Sequence, residues 1–185
     1  GVNQDYKEAN KWYKLSADQA FPPAQFNLAV SYENGIGTEQ DNNKAFKLYS
    51  LAADKGYSDA IYYLGNMYAT GRGTKKDRKK AIELWAYLAE KGHPLAQFNI
   101  GDEYFYGDGG IEQNYKEAVK WYELSANQGH PDAKVNLGLL YAQGKGVSLD
   151  KRKAYKLWIE ATKQGNKAAQ SNLNGLCSKS PWACK

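Results

Sequence analysis

The chain is poor in the residues from which metal centres and nucleophilic sites are assembled. Its 185 residues include two cysteines, Cys177 and Cys184, and two histidines, His93 and His130. The histidines precede prolines at equivalent places in the sequence, with no cysteine or carboxylate at ligand spacing, and make a poor zinc set. No carboxylate pair and no Cys/His set points to catalysis, so neither an enzyme nor a cofactor is expected. Long apolar runs are missing as well: none approaches the roughly 18 residues that cross a bilayer, and no membrane span is expected. The five prolines stand at breaks between helical stretches. A removed signal peptide and an engineered start would both leave Gly1 first, so that end does not place the chain in a compartment.

What is present is repetition. Gly56, Gly92, Gly129 and Gly165 stand 36, 37 and 36 residues apart. Ala24, Ala60, Ala96, Ala133 and Ala169 keep the same step, as do Ala9, Ala45, Ala81, Ala118 and Ala154. Self-similarity with a period in the mid-thirties marks a solenoid of helix pairs. The hydrophobic share of 42% is enough to cover the faces between repeats. Such an array forms one elongated domain without a single central core.

Two helices per repeat can be read from the spacing. Helix B opens at Asp5, Asp41, Asp77, Asn114 and Asp150, each four residues before an Ala. These side chains suit an N-cap because they accept from the free N–H groups of the first turn. Large residues follow, three and four places after the Ala: Trp12-Tyr13, Leu48-Tyr49, Leu84-Trp85, Trp121-Tyr122 and Leu157-Trp158. An aromatic stripe at helical spacing reads as core. Helix B ends near a glycine able to take the left-handed conformation, except in the first copy, where Ala20 stands before Pro22-Pro23. Helix A is expected from the second Ala of each set and carries Leu28-Ala29…Tyr32, Leu64-Gly65…Tyr68, Ile100-Gly101…Tyr104 and Leu137-Gly138…Tyr141. A Gly-x-Gly turn links A to B, one residue longer around Gly110. The last helix A, from about Ala169 to Cys177, has Asn174 and Cys177 at the small-residue and Tyr positions.

The net charge of +5 is concentrated. Lys75, Lys76, Arg78, Lys79 and Lys80 cluster at one helix start, and Lys151, Arg152 and Lys153 at the matching place two repeats later. Because the basic positions recur with the repeat, they read as a solvated face that keeps the array soluble, and no nucleic acid partner is expected.

The combination A-x-x-x-L-G-x-x-Y-x-x-G-x-G, D-x-x-K-A-x-x-L/W-Y/W and A-A-x-x-G resembles the Sel-1-like repeat family, relatives of tetratricopeptide repeats. The resemblance implies an all-α, right-handed superhelix of antiparallel helix pairs, with about five repeats of 36–37 residues. On this reading residues 1–185 are a single domain: a leading helix B over 1–19, four helix pairs over 20–168, and a closing helix with a cysteine-containing cap over 169–185. It further implies a non-enzymatic scaffold or adaptor that holds a peptide or protein partner, with weak self-association as a further property. The family occurs in bacterial envelope and secreted proteins and in eukaryotic degradation and signalling complexes.

In similar arrays helix A lines a concave groove. The residue before the L-G pair is Asn27, Asn99, Asn136 and Asn172, with Tyr63 the exception, and an Asn there in related repeats faces the groove and can bond a peptide backbone. Alternatively each Asn ties down its own neighbouring backbone. Phe26, Tyr62 and Phe98 precede these positions, followed by Val135 and Ser171, and Asn66, Asp102 and Tyr106 would face the same groove as recognition anchors.

Ser148-Leu149-Asp150-Lys151 fits the S-x-x-K acylation motif. A cysteine-rich branch of the family is associated with β-lactam binding, which makes a penicillin-binding-like envelope protein the alternative function. The companion motifs and that branch's recurrent cysteine pairs are absent, so chance explains the match better. The Gly71-to-Lys75 stretch lacks the spacing of a phosphate loop and recurs as a turn. Cys177 and Cys184 lie in the one non-repeat segment. If Pro181 turns the tail back, their Cα atoms could come within the roughly 7 Å that a bridge needs. A bridge would place the chain in the bacterial periplasm or outside the cell; two ordinary thiols would suit the cytoplasm.

Overall fold

The structure, a computed structural model, describes residues 5–184. Those residues form ten α-helices of thirteen residues each and one short 3-10 turn, with no strand among them. In chain order they are α1 (Tyr6–Asp18), α2 (Pro22–Asn34), α3 (Asn42–Asp54), α4 (Ser58–Thr70), α5 (Arg78–Glu90), α6 (Pro94–Tyr106), α7 (Tyr115–Asn127), α8 (Pro131–Gln143), α9 (Lys151–Lys163) and α10 (Lys167–Lys179), followed by the turn Pro181–Cys184. Odd-numbered helices are the B type and even-numbered ones the A type. The chain divides into two compact units, up to Leu88 and from Ala89 onward, and each is described by itself.

Capping follows the sequence closely. The carboxylate or amide oxygens of Asp5, Asp41, Asp77, Asn114 and Asp150 accept from backbone N–H groups two or three residues ahead, at 2.8–3.2 Å. The A-type helices begin two residues earlier than the Ala at which they were expected. Proline at the first position explains this in α2, α6 and α8, because a missing N–H there costs nothing. The side chains just outside complete the start: His93 Nδ1 accepts from Ala96 N–H at 3.3 Å, His130 Nδ1 from Ala133 N–H at 3.2 Å, and Asn166 Oδ1 from Ala169 N–H at 3.0 Å. The two histidines are helix caps.

After α1, Ala20 takes φ 60°, the conformation that glycine supplies at Gly56, Gly92, Gly129 and Gly165. An L-residue there is strained by its Cβ against the following carbonyl.

Helix pairs close on the small residue of helix A. A Cβ added to Gly65 would lie 2.6 Å from Nε1 of Trp85, and one added to Gly101 would lie 2.6 Å from Cδ1 of Tyr122; Gly138 is pressed as closely by Trp158. The ring of helix B thus lies on the bare backbone of helix A. In α2 the place is held by Ala29, fully buried beside Tyr49. In α10 no ring arrives: a Cβ on Gly175 meets nothing within 4 Å, and Asn174 is exposed.

In the first unit Tyr49, Leu64 and Met67 pack among the alanines Ala29, Ala45, Ala52 and Ala60. In the second, Tyr122, Leu137, Leu140, Trp158 and Leu173 pack around Ala118, Ala133, Ala154 and Ala169. Each fully buried ring contributes about 1.5–3 kcal/mol. The expected aromatic core stripe fails in α1, where Trp12 is 62% exposed and Leu15 55% exposed. Leu48, at the same register as Trp12, packs against the buried cluster of Ala17, Ala24 and Leu28.

A second recurrent contact absorbs part of the basic charge. Lys44, Lys80 and Lys153 lie 5.1, 5.1 and 4.1 Å from the ring centroids of Tyr32, Tyr68 and Tyr141. Each pins helix B to the preceding helix A through a cation–π contact. At the C-terminal end, Cys177 and Cys184 are joined by a disulfide with Cα atoms 5.7 Å apart, and Ala183 of the returning tail is buried in the core of the second unit.

Candidate binding surface between successive A-type helices

The candidate residues named from the sequence lie on the A-type helices, several of them at junctions between consecutive ones. At the α2–α4 junction the ring of Tyr49 stacks on Tyr63, with centroids 5.4 Å apart. Phe26 packs against Tyr49, Tyr57 and Tyr63 at 5.4–5.7 Å, and Tyr62 sits edge-on to Tyr63 at 5.7 Å. The Tyr49 hydroxyl donates to Glu33 Oε2 at 2.8 Å, and Arg72 meets Glu33 Oε1 at 2.9 Å. Glu33 is only 5% exposed, so its carboxylate is held by these two partners rather than by water. Burial pushes the Tyr49 hydroxyl far above the ordinary phenol range, and its bond to Glu33 adds to the shift, which keeps it a proton donor.

At the α6–α8 junction Asp102 plays the corresponding part. The Tyr122 hydroxyl donates to Asp102 Oδ1 at 2.5 Å, and the Asn136 amide donates to the same oxygen at 3.1 Å. Burial raises the Asp102 carboxyl above the usual range, while the two hydrogen bonds pull it back. Phe98 stacks on His130 at 4.7 Å and tilts against Tyr122 at 5.9 Å. Asp102 and Asn136, read separately from the sequence, therefore belong to one network. Asn136 spans two repeats instead of tying down its own neighbouring backbone.

The remaining candidates differ. Phe26, Tyr63 and Phe98 are half-buried and engaged with other rings. Tyr106 is 65% exposed, with Phe105 edge-on at 4.8 Å. The side-chain amides of Asn27, Asn66, Asn99 and Asn172 are half-buried and make no hydrogen bond among the described residues. Sequence reasoning missed Glu33, Arg72 and the hydroxyls of Tyr49 and Tyr122. Glu33 left a usable signal: its register holds Ala69, Phe105 and Ala142 in the other repeats, and a lone acid among apolar residues needs a partner.

Ser148 and Lys151 are not brought together as a nucleophile and its base. Ser148 is exposed, and the Lys151 ammonium donates to Ser180 Oγ at 2.8 Å. Among the described residues no three His, Cys, Asp or Glu side chains converge on a point, and no helix is long and apolar enough to cross a membrane.

The Sel1 repeat model matches residues 1–21, 22–57, 58–93, 94–130 and 131–166. The chain belongs to the Sel1 repeat family. The four full matches begin where α2, α4, α6 and α8 begin, so the family's unit is the A–B pair. A Sel1 repeat protein from Oxalobacter formigenes is 36% identical, with a TM-score of 0.83 over 94% of this chain and 50% of its own. A protective antigen of uropathogenic Escherichia coli with an SLR fold is 32% identical, with a TM-score of 0.86 over 96% of this chain and 38% of its own. An immunity protein from Pseudomonas aeruginosa shares the fold at 23% identity, with a TM-score of 0.59 over 91% of this chain and 61% of its own. This Sel1 repeat chain thus spans no more than about half the length of the first two. No curated protein sequence matches it. Sel1 repeats typically serve protein–protein interaction.

Proposed function

We propose that this Sel1 repeat chain is a non-enzymatic adaptor, folded as a single domain, that holds an extended peptide or a partner helix along its A-type helices. The observation that carries the reading is that one sequence register holds uncommitted amides, Asn27 in the first unit and Asn99 and Asn172 in the second. These half-buried amides have no protein partner and are reached by water, and a peptide backbone offers both the donor and the acceptor to replace that water. Asn66 and the exposed ring of Tyr106 flank that register and would supply side-chain contacts. The reading requires no cofactor and no nucleic acid.

The disulfide supports a periplasmic or secreted location, because cytosolic thiols are kept reduced. An exported location also suits the similarity to an Escherichia coli protective antigen. Capture of partners from source-cell extract tests the function, comparing the wild type with Asn27/Asn99/Asn172→Ala. Asn136 is left in place because it holds Asp102. A partner lost by the variant, with its helical circular dichroism unchanged, is the expected result. A partner retained in full by the variant refutes the assignment of the surface.

A further inference from the structure

Three junctions between successive A-type helices lie within the two units, and the last lacks the carboxylate that occupies the other two. Glu33 fills the α2–α4 junction and Asp102 the α6–α8 junction, each bonded to the hydroxyl of the helix B tyrosine. At the α8–α10 junction the registers of Glu33 and Asp102 hold Ala142 and Leu139. The helix B ring is Trp158, whose Nε1–H is already given to the backbone oxygen of Val135 at 3.0 Å.

A cavity of about 320 Å³ lies there instead, over Trp158 and beside Gly175. The charged residues that line it are Lys151 and Lys179, joined by Asn172 and Ser180, and no acidic residue lines it among the described residues. Neither lysine has an acidic partner among the described residues. Lys151 is held in place by its bond to Ser180, which is itself 3% exposed. Asn172 stands in the register of Asn136, whose amide donates to Asp102 one junction earlier.

We propose that this cavity binds a carboxylate supplied from outside the chain, on an acidic side chain or at the free C-terminus of a bound peptide. The inference rests on the groove reading above and names the chemistry recognised at one end of it. Two lysines and an asparagine around one space can offer charge-assisted hydrogen bonds, stronger than neutral ones and stronger still beside a low-dielectric indole wall. The volume is at the small end of ligand cavities, which suits a terminal carboxylate with one small side chain.

The test is titration of the isotope-labelled full chain, followed by NMR at low ionic strength, with three acetylated alanine tripeptides. One has a free C-terminal acid, one a C-terminal amide, and one a C-terminal amide with a central glutamate. The expected result is that the carboxylate-bearing peptides shift the Asn172 side-chain amide and the Gly175 and Ser180 backbone amides, while the neutral peptide does not. Whichever acidic peptide binds more tightly identifies the source of the carboxylate. Lys179→Gln should weaken that binding about tenfold, the loss of one charge-assisted hydrogen bond. Gly175→Leu, which fills the cavity from a position with open space for a side chain, should abolish it while leaving the helices intact.

Equal binding of acid and amide peptides, no shift in the cavity, or full retention of binding in Lys179→Gln overturns the inference. Shifts at Asn27 and Asn99 without shifts in the cavity overturn it and leave the groove reading standing. Shifts confined to the cavity uphold it.

Discussion

Two glycine-to-alanine substitutions at nearby registers of A-type helices should have opposite effects on stability. Either change gains about 1 kcal/mol from the helix propensity of alanine over glycine. At Gly175 nothing lies within 4 Å of the new methyl, so the gain stands alone. At Gly101 the methyl would lie 2.6 Å from Cδ1 of Tyr122, about 1 Å inside the usual carbon contact distance. Tyr122 is fully buried, and its hydroxyl is bonded to Asp102, so its ring cannot retreat without stretching that bond. Overpacking of this kind costs about 1–3 kcal/mol, and weakening a hydrogen bond to a carboxylate adds a further loss. Net of the propensity gain, Gly101→Ala should destabilise by about 1–2 kcal/mol. Ala29 holds the same place in α2, where the pair already accommodates a methyl beside Tyr49. Thermal melts by circular dichroism provide the readout, at about 2–4 °C per kcal/mol for a chain of this size. Gly175→Ala should melt higher than wild type and Gly101→Ala lower. Stabilisation by Gly101→Ala as large as that by Gly175→Ala would refute the view that bare backbone at Gly101 is required by the Tyr122 ring.

The left-handed conformation of Ala20 makes Ala20→Gly a stabilising change of about 0.5–1 kcal/mol, the strain relieved less the added freedom of the unfolded chain. Urea denaturation checks this, and a lower midpoint contradicts it. Burial pushes the His130 imidazole below its ordinary pKa, against a smaller opposing effect of Asp132. The unfolded chain therefore binds the proton more readily, so this contribution to stability is complete above the unfolded pKa of about 6.5 and is lost as pH falls through it toward the folded value. Protonation also removes the Nδ1 acceptor that caps α8. Melting should drop between about pH 7.5 and 5.5 in wild type, and less in His130→Asn, which keeps a capping oxygen; equal drops in both would refute the role of His130.

The repeat itself is a local property, and the sequence alone determines it. The helix pairs, the Asp and Asn caps, the glycine after four of the five B-type helices and the odd residue around Gly110 all follow from interactions within a few positions of each other. Spacing and side-chain type are then sufficient. The candidate surface was legible to the same depth: the register of Asn27, Asn99, Asn136 and Asn172 stands out because it recurs. Whether an amide at that register is free or already bonded does not recur. It depends on which side chain the adjoining repeat offers across the junction. Asn136 meets Asp102, Asn172 meets a cavity, and the phenols of Tyr49 and Tyr122 find carboxylates sixteen and twenty residues away along the chain. Trp12, at a register that reads as core, is exposed. Those outcomes belong to the tertiary structure, since burial and pairing are properties of what lies across the interface, not of the residue that faces it.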